Sequence, residues 1–395
     1  MTYLQKAACF SGAALALIVV TSCSPERRMP PPAGGWDPLD AAWRFAQSIT
    51  NDANDRSACS ERVAMARLRS GRSDLAVRLA ERIEGYRGVC VLAASAQHLA
   101  RQGDMRQARR LLAEAEERGT ALTGWQRDRA RARMAEAAAV LGDGERIRAA
   151  REQVGQVREY SLWMDVQHAI CLARDGQPDK ALAAMEDLPQ DAFFDSLVSR
   201  TDGYRILATA GDLPPGQRGD ALEKAWDASA SVPGWKRFDL RMEIIDGAAA
   251  IGEQARAMAW ASNVASNVLA SRLPGHIRGP LLGRAAACSA RVNATGHVDR
   301  LVAAAEAVLA DPDAMQNIER PSVAALVGEA LATAGRTESA VAAYTRAIEQ
   351  AAALVNPRPR AIAAVDICLS LHRSGLEAPT LTEGLQALLE SFGDA

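Results

Sequence analysis

The residues of this chain that could do chemistry are few, and their spacing is wide. Its five histidines stand at His98, His168, His276, His297 and His372. None forms the His-Glu-x-x-His helix of a zinc protease, and there is no phosphate-cradling glycine loop, Gly-x-Ser-x-Gly elbow or Cys-x-x-Cys pair. Asn51-Asp52-Ala53-Asn54-Asp55 has the oxygens of a calcium loop. It lacks the loop glycine and the later bidentate Glu, so it reads as a helix N-cap cluster. A non-catalytic protein with no cofactor and no metal is expected. What does recur is an aromatic: Tyr86, Trp125, Phe194 and Trp235, three of them preceded by glycine. Arg87 follows Tyr86, and the Trp copies continue as Trp-x-Arg-x-x-x-Arg, giving Arg127 and Arg131, then Arg237 and Arg241. Arg beside Trp or Tyr is the composition of interface anchors, and the guanidinium fork suits carboxylates. The other reading is that the aromatics wedge between structural units while the arginines pair with Asp128 or Asp239.

The elements that must position these residues follow a period. Glycine recurs at Gly71, Gly103, Gly142, Gly176, Gly211, Gly252, Gly296, Gly335 and Gly375, at intervals of about 38 residues. Each aromatic stands 17 residues before such a glycine. An amphipathic run such as Val323 to Ala334 precedes the glycine, and a second such as Ser339 to Gln350 follows it. Glycine takes the left-handed geometry that ends a helix, so each one reads as a hinge between two helices. A small residue lies seven before the hinge (Ala64, Ala96, Ala135, Ala169, Gly328), and Ala lies five after it (Ala76, Ala108, Ala181, Ala257, Ala340). This small–hinge–small register resembles the tetratricopeptide repeat, a helix–turn–helix unit of about 34 residues. The likeness is closest at Gly71, Gly103, Gly176 and Gly335. The Pro-Pro-Gly turn after Gly211 interrupts it, and Leu381, Thr382 and Gly384 degrade the last copy.

Such units stack because one alone cannot bury its apolar face. The expectation is an all-α fold: a right-handed α-solenoid of about nine units over residues 55–395, drawn out as an extended superhelix. Asp37-Pro38 opens a helix that caps the stack, within a segment of residues 36–54. The resemblance implies a concave groove, lined by the first helices, that holds a protein partner. The histidines fall in different units. Cys59 and Cys90 fall in adjacent ones, where a disulfide forms if the Cα atoms come within about 7 Å; the alternative is a pair of buried thiols.

The N-terminus carries an address. Lys6 precedes an apolar run from Ala7 to Val20, too short for a bilayer span of about 20 residues and the right length for a signal-peptide core. Its end, Val20-Thr21-Ser22-Cys23, resembles the lipobox of bacterial lipoproteins. The resemblance implies removal of residues 1–22 and acylation of Cys23. Ser24, in place of the Asp that holds many lipoproteins at the inner membrane, implies the outer membrane. Residues 23–35 hold three consecutive prolines and two glycines, a tether with no core of its own.

Composition narrows the function. Forty-six basic and 48 acidic residues leave a formal charge of −2, and no nucleic-acid partner is expected. Aromatics at 5% and abundant alanine argue against an all-β protein. The sequence points to an outer-membrane-anchored, periplasm-facing scaffold that binds an envelope protein partner in assembly or export. The alternative is a solenoid that binds envelope glycan or a small ligand through its Trp and Arg positions.

Overall fold

The computed structural model describes residues 36–154, 157–210 and 212–392. The signal segment 1–22, Cys23, the tether to Gly35 and the hinge Gly211 lie outside the described residues. From Asp37 onward the chain forms one compact unit. Among the described residues it contains nineteen α-helices, one short 3₁₀ turn and no strand. A single helix, α1 (Pro38–Gln47), comes first. Then follow α2 (Ala53–Arg69), α3 (Ser73–Ala80), α4 (Tyr86–Arg101), α5 (Met105–Gly119), α6 (Gly124–Leu141), α7 (Gly144–Gln153), α8 (Arg158–Arg174), α9 (Pro178–Glu186) and α10 (Phe194–Thr209). The second half holds α11 (Pro215–Ser229), α12 (Lys236–Ala250), α13 (Gln254–Ala270), α14 (Gly275–Arg291), α15 (Val298–Ala310), α16 (Arg320–Thr333), α17 (Thr337–Ala352), α18 (Pro357–Ser374) and α19 (Pro379–Glu390). None of these helices is long and apolar enough to cross a membrane.

One hydrogen bond repeats at the hinges and fixes their register. The N–H just after the hinge residue donates to the carbonyl four residues before it: Arg72 to Arg67, Asp104 to Leu99, Asp143 to Ala138, Gln177 to Leu172, Glu253 to Ala248 and Arg336 to Leu331. This is the long bond of a Schellman cap, and it requires a left-handed hinge residue. The same bond, Ala294 to Ser289, places the hinge after α14 at Asn293, which has φ +62°. The expected hinge there, Gly296, sits instead in the 3₁₀ turn Thr295–His297. Asn reaches the left-handed region at modest cost, which is why a search by glycine alone misplaces this copy. The alanines seven before and five after the hinges are buried, as close approach of two helices requires. At Gly328 the requirement is absolute, since an added Cβ would lie 2.8 Å from the Tyr344 ring.

The first helices of the hairpins, α2, α4, α6, α8, α10, α12, α14, α16 and α18, pack side by side as an inner row, and from α2 to α16 each is backed by a second helix that also touches the next member of the row. They run parallel. Arg291 of α14 reaches Asp246 of α12, and Arg373 of α18 reaches Glu329 of α16. In both cases the residue two before one hinge meets the residue six before the previous hinge.

The row closes, and this corrects the expected extended superhelix. α18 packs against α2, and Arg62 of α2 pairs with Asp366 of α18. Arg358 at the start of α18 holds Asp52 and Asp55 at 3.0 and 2.8 Å. Ser70 Oγ and His372 Nε2 lie 2.7 Å apart. The physical reason is α1. It occupies the outer slot between α18 and α2, the slot that a hairpin's own second helix holds elsewhere. α19, the degraded last copy, lies against α17 and α1 instead. Leu39, Trp43, Phe45 and Ile49 of this helix segment are buried in the seam, and Phe45 stacks edge-on to Phe392 at 5.8 Å. Arg67 of α2, itself buried, holds Asp37 and Asp40 at 2.5 Å each. The N-terminal helix therefore completes the C-terminal hairpin, and the ring has no free end to cap.

Candidate functional site

Parallel inner helices give the ring two different mouths. One carries the helix N-termini and the other the hinges. The recurring aromatics stand at the first. Trp125 opens α6, Phe194 opens α10 and Trp235 caps α12; they are 53%, 48% and 47% exposed, with Phe193 beside them at 62%. Large apolar side chains so placed are the exception on a folded surface. They lie along one arc of that mouth, at the starts of α6, α10 and α12, where the sequence had suggested a groove along the first helices.

The structure groups some of the singled-out residues and separates others. Tyr86 and Trp125 meet edge-on at 5.1 Å, with the guanidinium groups of Arg87 and Arg129 over the Tyr86 ring. Tyr86 is buried and Arg87 bonds Glu61 at 2.7 Å, so this pair wedges α4 against its neighbours. Arg131 donates to the Gln153 carbonyl and side chain, and Arg127 lies 3.8 Å from Asp128. Trp235 belongs to α12, which follows α6 in the row after α8 and α10. Arg241 donates to Ser229 and covers the Trp226 ring at 4.4 Å. Asp239 is engaged by Arg284, so the arginines after Trp235 do not use it. Arg131 and Arg241 are thus held in structural contacts, while Trp125 and Trp235 stay half-exposed beside Arg127 and Arg237.

Cys59 and Cys90 are both buried free thiols. Burial pushes Cys59 up to about 11 and Cys90 up to about 12, and Cys171 and Cys288 rise for the same reason. Such thiols are packing groups and poor nucleophiles. The histidines are dispersed over α4, α8, α14, the 3₁₀ turn and α18.

The wall of the ring's lumen holds charge that the sequence reading missed. Counting back from each hinge, the residue two before it is Arg69, Arg101, Arg174, Arg291 and Arg373 on five of the inner helices. Deeper along the same stripe lie Arg62, Arg133, Glu136, Arg205, Glu243, Asp246, Arg284 and Glu329. Fields here cross the ring. Arg69 of α2 is pushed below the usual arginine range by burial and by Arg373 and Arg133, against the pull of Glu243 on α12. Burial likewise raises the Glu243 carboxyl, with Arg205 opposing. Burial also lowers Arg101, with Arg174 and Arg205 adding to it and Glu136 and Asp212 opposing. Most of these charges are paired: Arg133 with Glu136 at 2.8 Å, Arg205 with Asp202 at 2.5 Å, Arg373 with Glu329 at 2.6 Å. Arg69 and Arg101 form no hydrogen bond or ion pair among the described residues. Reading the position two before every glycine hinge would have found Arg69, Arg101, Arg174 and Arg373 from the sequence, and Arg291 follows only once the hinge is placed at Asn293.

No protein-family model and no curated protein matches the chain. Among solved structures, Ton1535 from Thermococcus onnurineus NA1 aligns at 12% identity over 87% of this chain and 94% of its own, with a TM-score of 0.26. A circular tandem repeat protein with novel repeat topology and enhanced subunit contact surfaces aligns at 14% identity over 90% and 94%, with a TM-score of 0.23. At those scores neither alignment adds to what the helix contacts of this chain already establish.

Proposed function

We propose that the hairpins are nine tetratricopeptide-like units of right-handed winding, and that the ring they close is a non-catalytic scaffold. It is anchored in a bacterial outer membrane through acyl chains on Cys23 and binds an envelope protein partner in assembly or export. The observation that carries this reading is the set of half-exposed aromatics, Trp125, Phe193, Phe194 and Trp235, at one mouth. They sit along the row from α6 to α12, a spread that favours a broad protein surface over one small ligand.

The test is in-cell cross-linking of the full-length protein, affinity capture and mass spectrometry. One envelope protein in near-stoichiometric yield is expected. Arg127→Glu with Arg237→Glu should cut that yield severalfold without moving the melting temperature, because neither arginine holds a close ion pair. A partner captured equally by the double variant would remove the aromatic mouth as its site. Cys23→Ala should release the protein from the membrane fraction; retention there would refute the anchor.

A further inference from the structure

We propose that the hinge-side mouth of the lumen is a binding port for a small multivalent oxyanion, a compound carrying two or more phosphate or carboxylate groups. Helices at the usual interaxial distance of about 9 Å would set nine inner axes about 13 Å from the ring's centre. With helices about 11 Å wide, that leaves a passage about 15 Å across before long side chains narrow it. In the parallel register of the inner helices, fixed by the Arg291–Asp246 and Arg373–Glu329 pairs, Arg69, Arg101, Arg174, Arg291 and Arg373 share one level of this passage. The remaining residues two before a hinge are Val140, Thr209, Ala250 and Thr333, and the acid that reaches this level is Asp212, 3.7 Å from Arg174.

The five arginines differ in what they reach. Arg291 and Arg373 lean inward to Asp246 and Glu329 one level deeper. Arg174 lies 3.7 Å from Asp212. Arg69 and Arg101 reach no acceptor among the described residues, and their donors are unspent. Both are open to water, yet protein surrounds them closely enough that burial weighs against their charge, and Arg373 and Arg133 crowd Arg69 further. Each arginine also complements the negative end of its own helix. That accounts for arginine on a last turn, but not for five of them converging on one enclosed space with two left unpaired. A rigid fork in a confined, cation-rich site prefers a planar or tetrahedral oxyanion, which it can bind through two parallel hydrogen bonds. Two unpaired forks call for two anionic groups on one ligand.

Isothermal titration of the purified full-length protein with pyrophosphate and with citrate, at constant ionic strength, tests the port. Saturable one-to-one binding of at least one probe is expected, with orthophosphate at least about tenfold weaker. The tighter probe then assigns a phosphoryl or a carboxylate ligand. Arg69→Ala with Arg101→Ala should weaken binding by about tenfold or more, since each removes charge-assisted hydrogen bonds. The melting temperature without anion should hold or rise, because no folded-state pair is lost. Arg69→Lys with Arg101→Lys keeps the charge, loses the fork and should fall between the two. The proposal is overturned if neither probe saturates, or if the alanine and lysine pairs bind as the wild type does.

Discussion

Replacing Phe45 by Ala probes the closure of the ring at its seam. Phe45 has no exposed surface and packs its ring edge-on to Phe392 at 5.8 Å, between helices from the two ends of the chain. Truncating a buried Phe costs about 3–5 kcal/mol, the lost transfer energy plus the cavity left behind. The helix segment as a whole buries Leu39, Trp43, Phe45 and Ile49. At about 2–3 kcal/mol each, these four hold the seam with a gross energy near 10 kcal/mol, an upper figure because the unfolded chain is already partly compact. Total stabilities of folded proteins run to about 5–15 kcal/mol, so one side chain removes a large share. Urea unfolding should be followed both by helical circular dichroism and by tryptophan fluorescence. In a closed ring every hairpin has two neighbours, so the whole transition should move to lower urea, with both probes still coincident. In an open array α1 would be a terminal cap, and its loss would fray one end. A main transition that stays in place, with a small early phase before it, would mean that the ring is open.

Two further predictions rest on packing. Gly328→Ala places a Cβ 2.8 Å from the Tyr344 ring and should destabilise by about 1–3 kcal/mol, read as a fall in the urea midpoint. At the equivalent position Ala96 is buried, and the residue nine after its hinge is Leu112 where Tyr344 stands in the Gly335 copy. The thiols predict a pH effect. Cys59, Cys90, Cys171 and Cys288 are raised by burial from 9.0 to about 11 or 12. The folded state therefore keeps protons that the unfolded state gives up. Their contribution is fully present below about pH 9 and is lost as pH rises from there through about 11–12. A thiol reagent at pH 8 should label these four residues only as fast as the protein unfolds; rapid labelling of the native protein would contradict their burial.

Much of the architecture was written in the spacing. The hinges at Gly71, Gly103, Gly142, Gly176, Gly252, Gly335 and Gly375 stand in the left-handed region, and the flanking small residues are buried. Asn293 escaped because the signal was tied to a residue type when the physical requirement was a backbone conformation. Closure escaped for a deeper reason. Repeats repeat locally, whereas a ring depends on the small rotation accumulated over all of them, and no residue pair close in sequence reports it. α1 did carry a hint, since Leu39, Trp43 and Phe45 are more apolar than one flank of a solenoid needs. In the candidate site, the aromatics at the hinge-minus-17 position were legible as a set, and three of the four, Trp125, Phe194 and Trp235, stand half-exposed while Tyr86 is buried. Arg131 and Arg241 looked equivalent to Arg127 and Arg237, but each found a local acceptor, Gln153 and Ser229, that spacing does not reveal. The lumen arginines were missed because each is an unremarkable last-turn residue on its own helix. Only the parallel register of the inner row makes them neighbours.

Closure is the claim on which both the aromatic mouth and the lumen depend. Ser70 and His372, 302 residues apart in sequence, meet at 2.7 Å on the exposed side of the seam. With both replaced by Cys, a short bis-maleimide at neutral pH would meet those two exposed thiols and leave the buried ones untouched. A closed ring predicts rapid, near-complete cross-linking within one chain at every protein concentration, abolished by unfolding in urea. Cross-linking that is slow, or that appears only between chains as concentration rises, would mean that the ends stand apart.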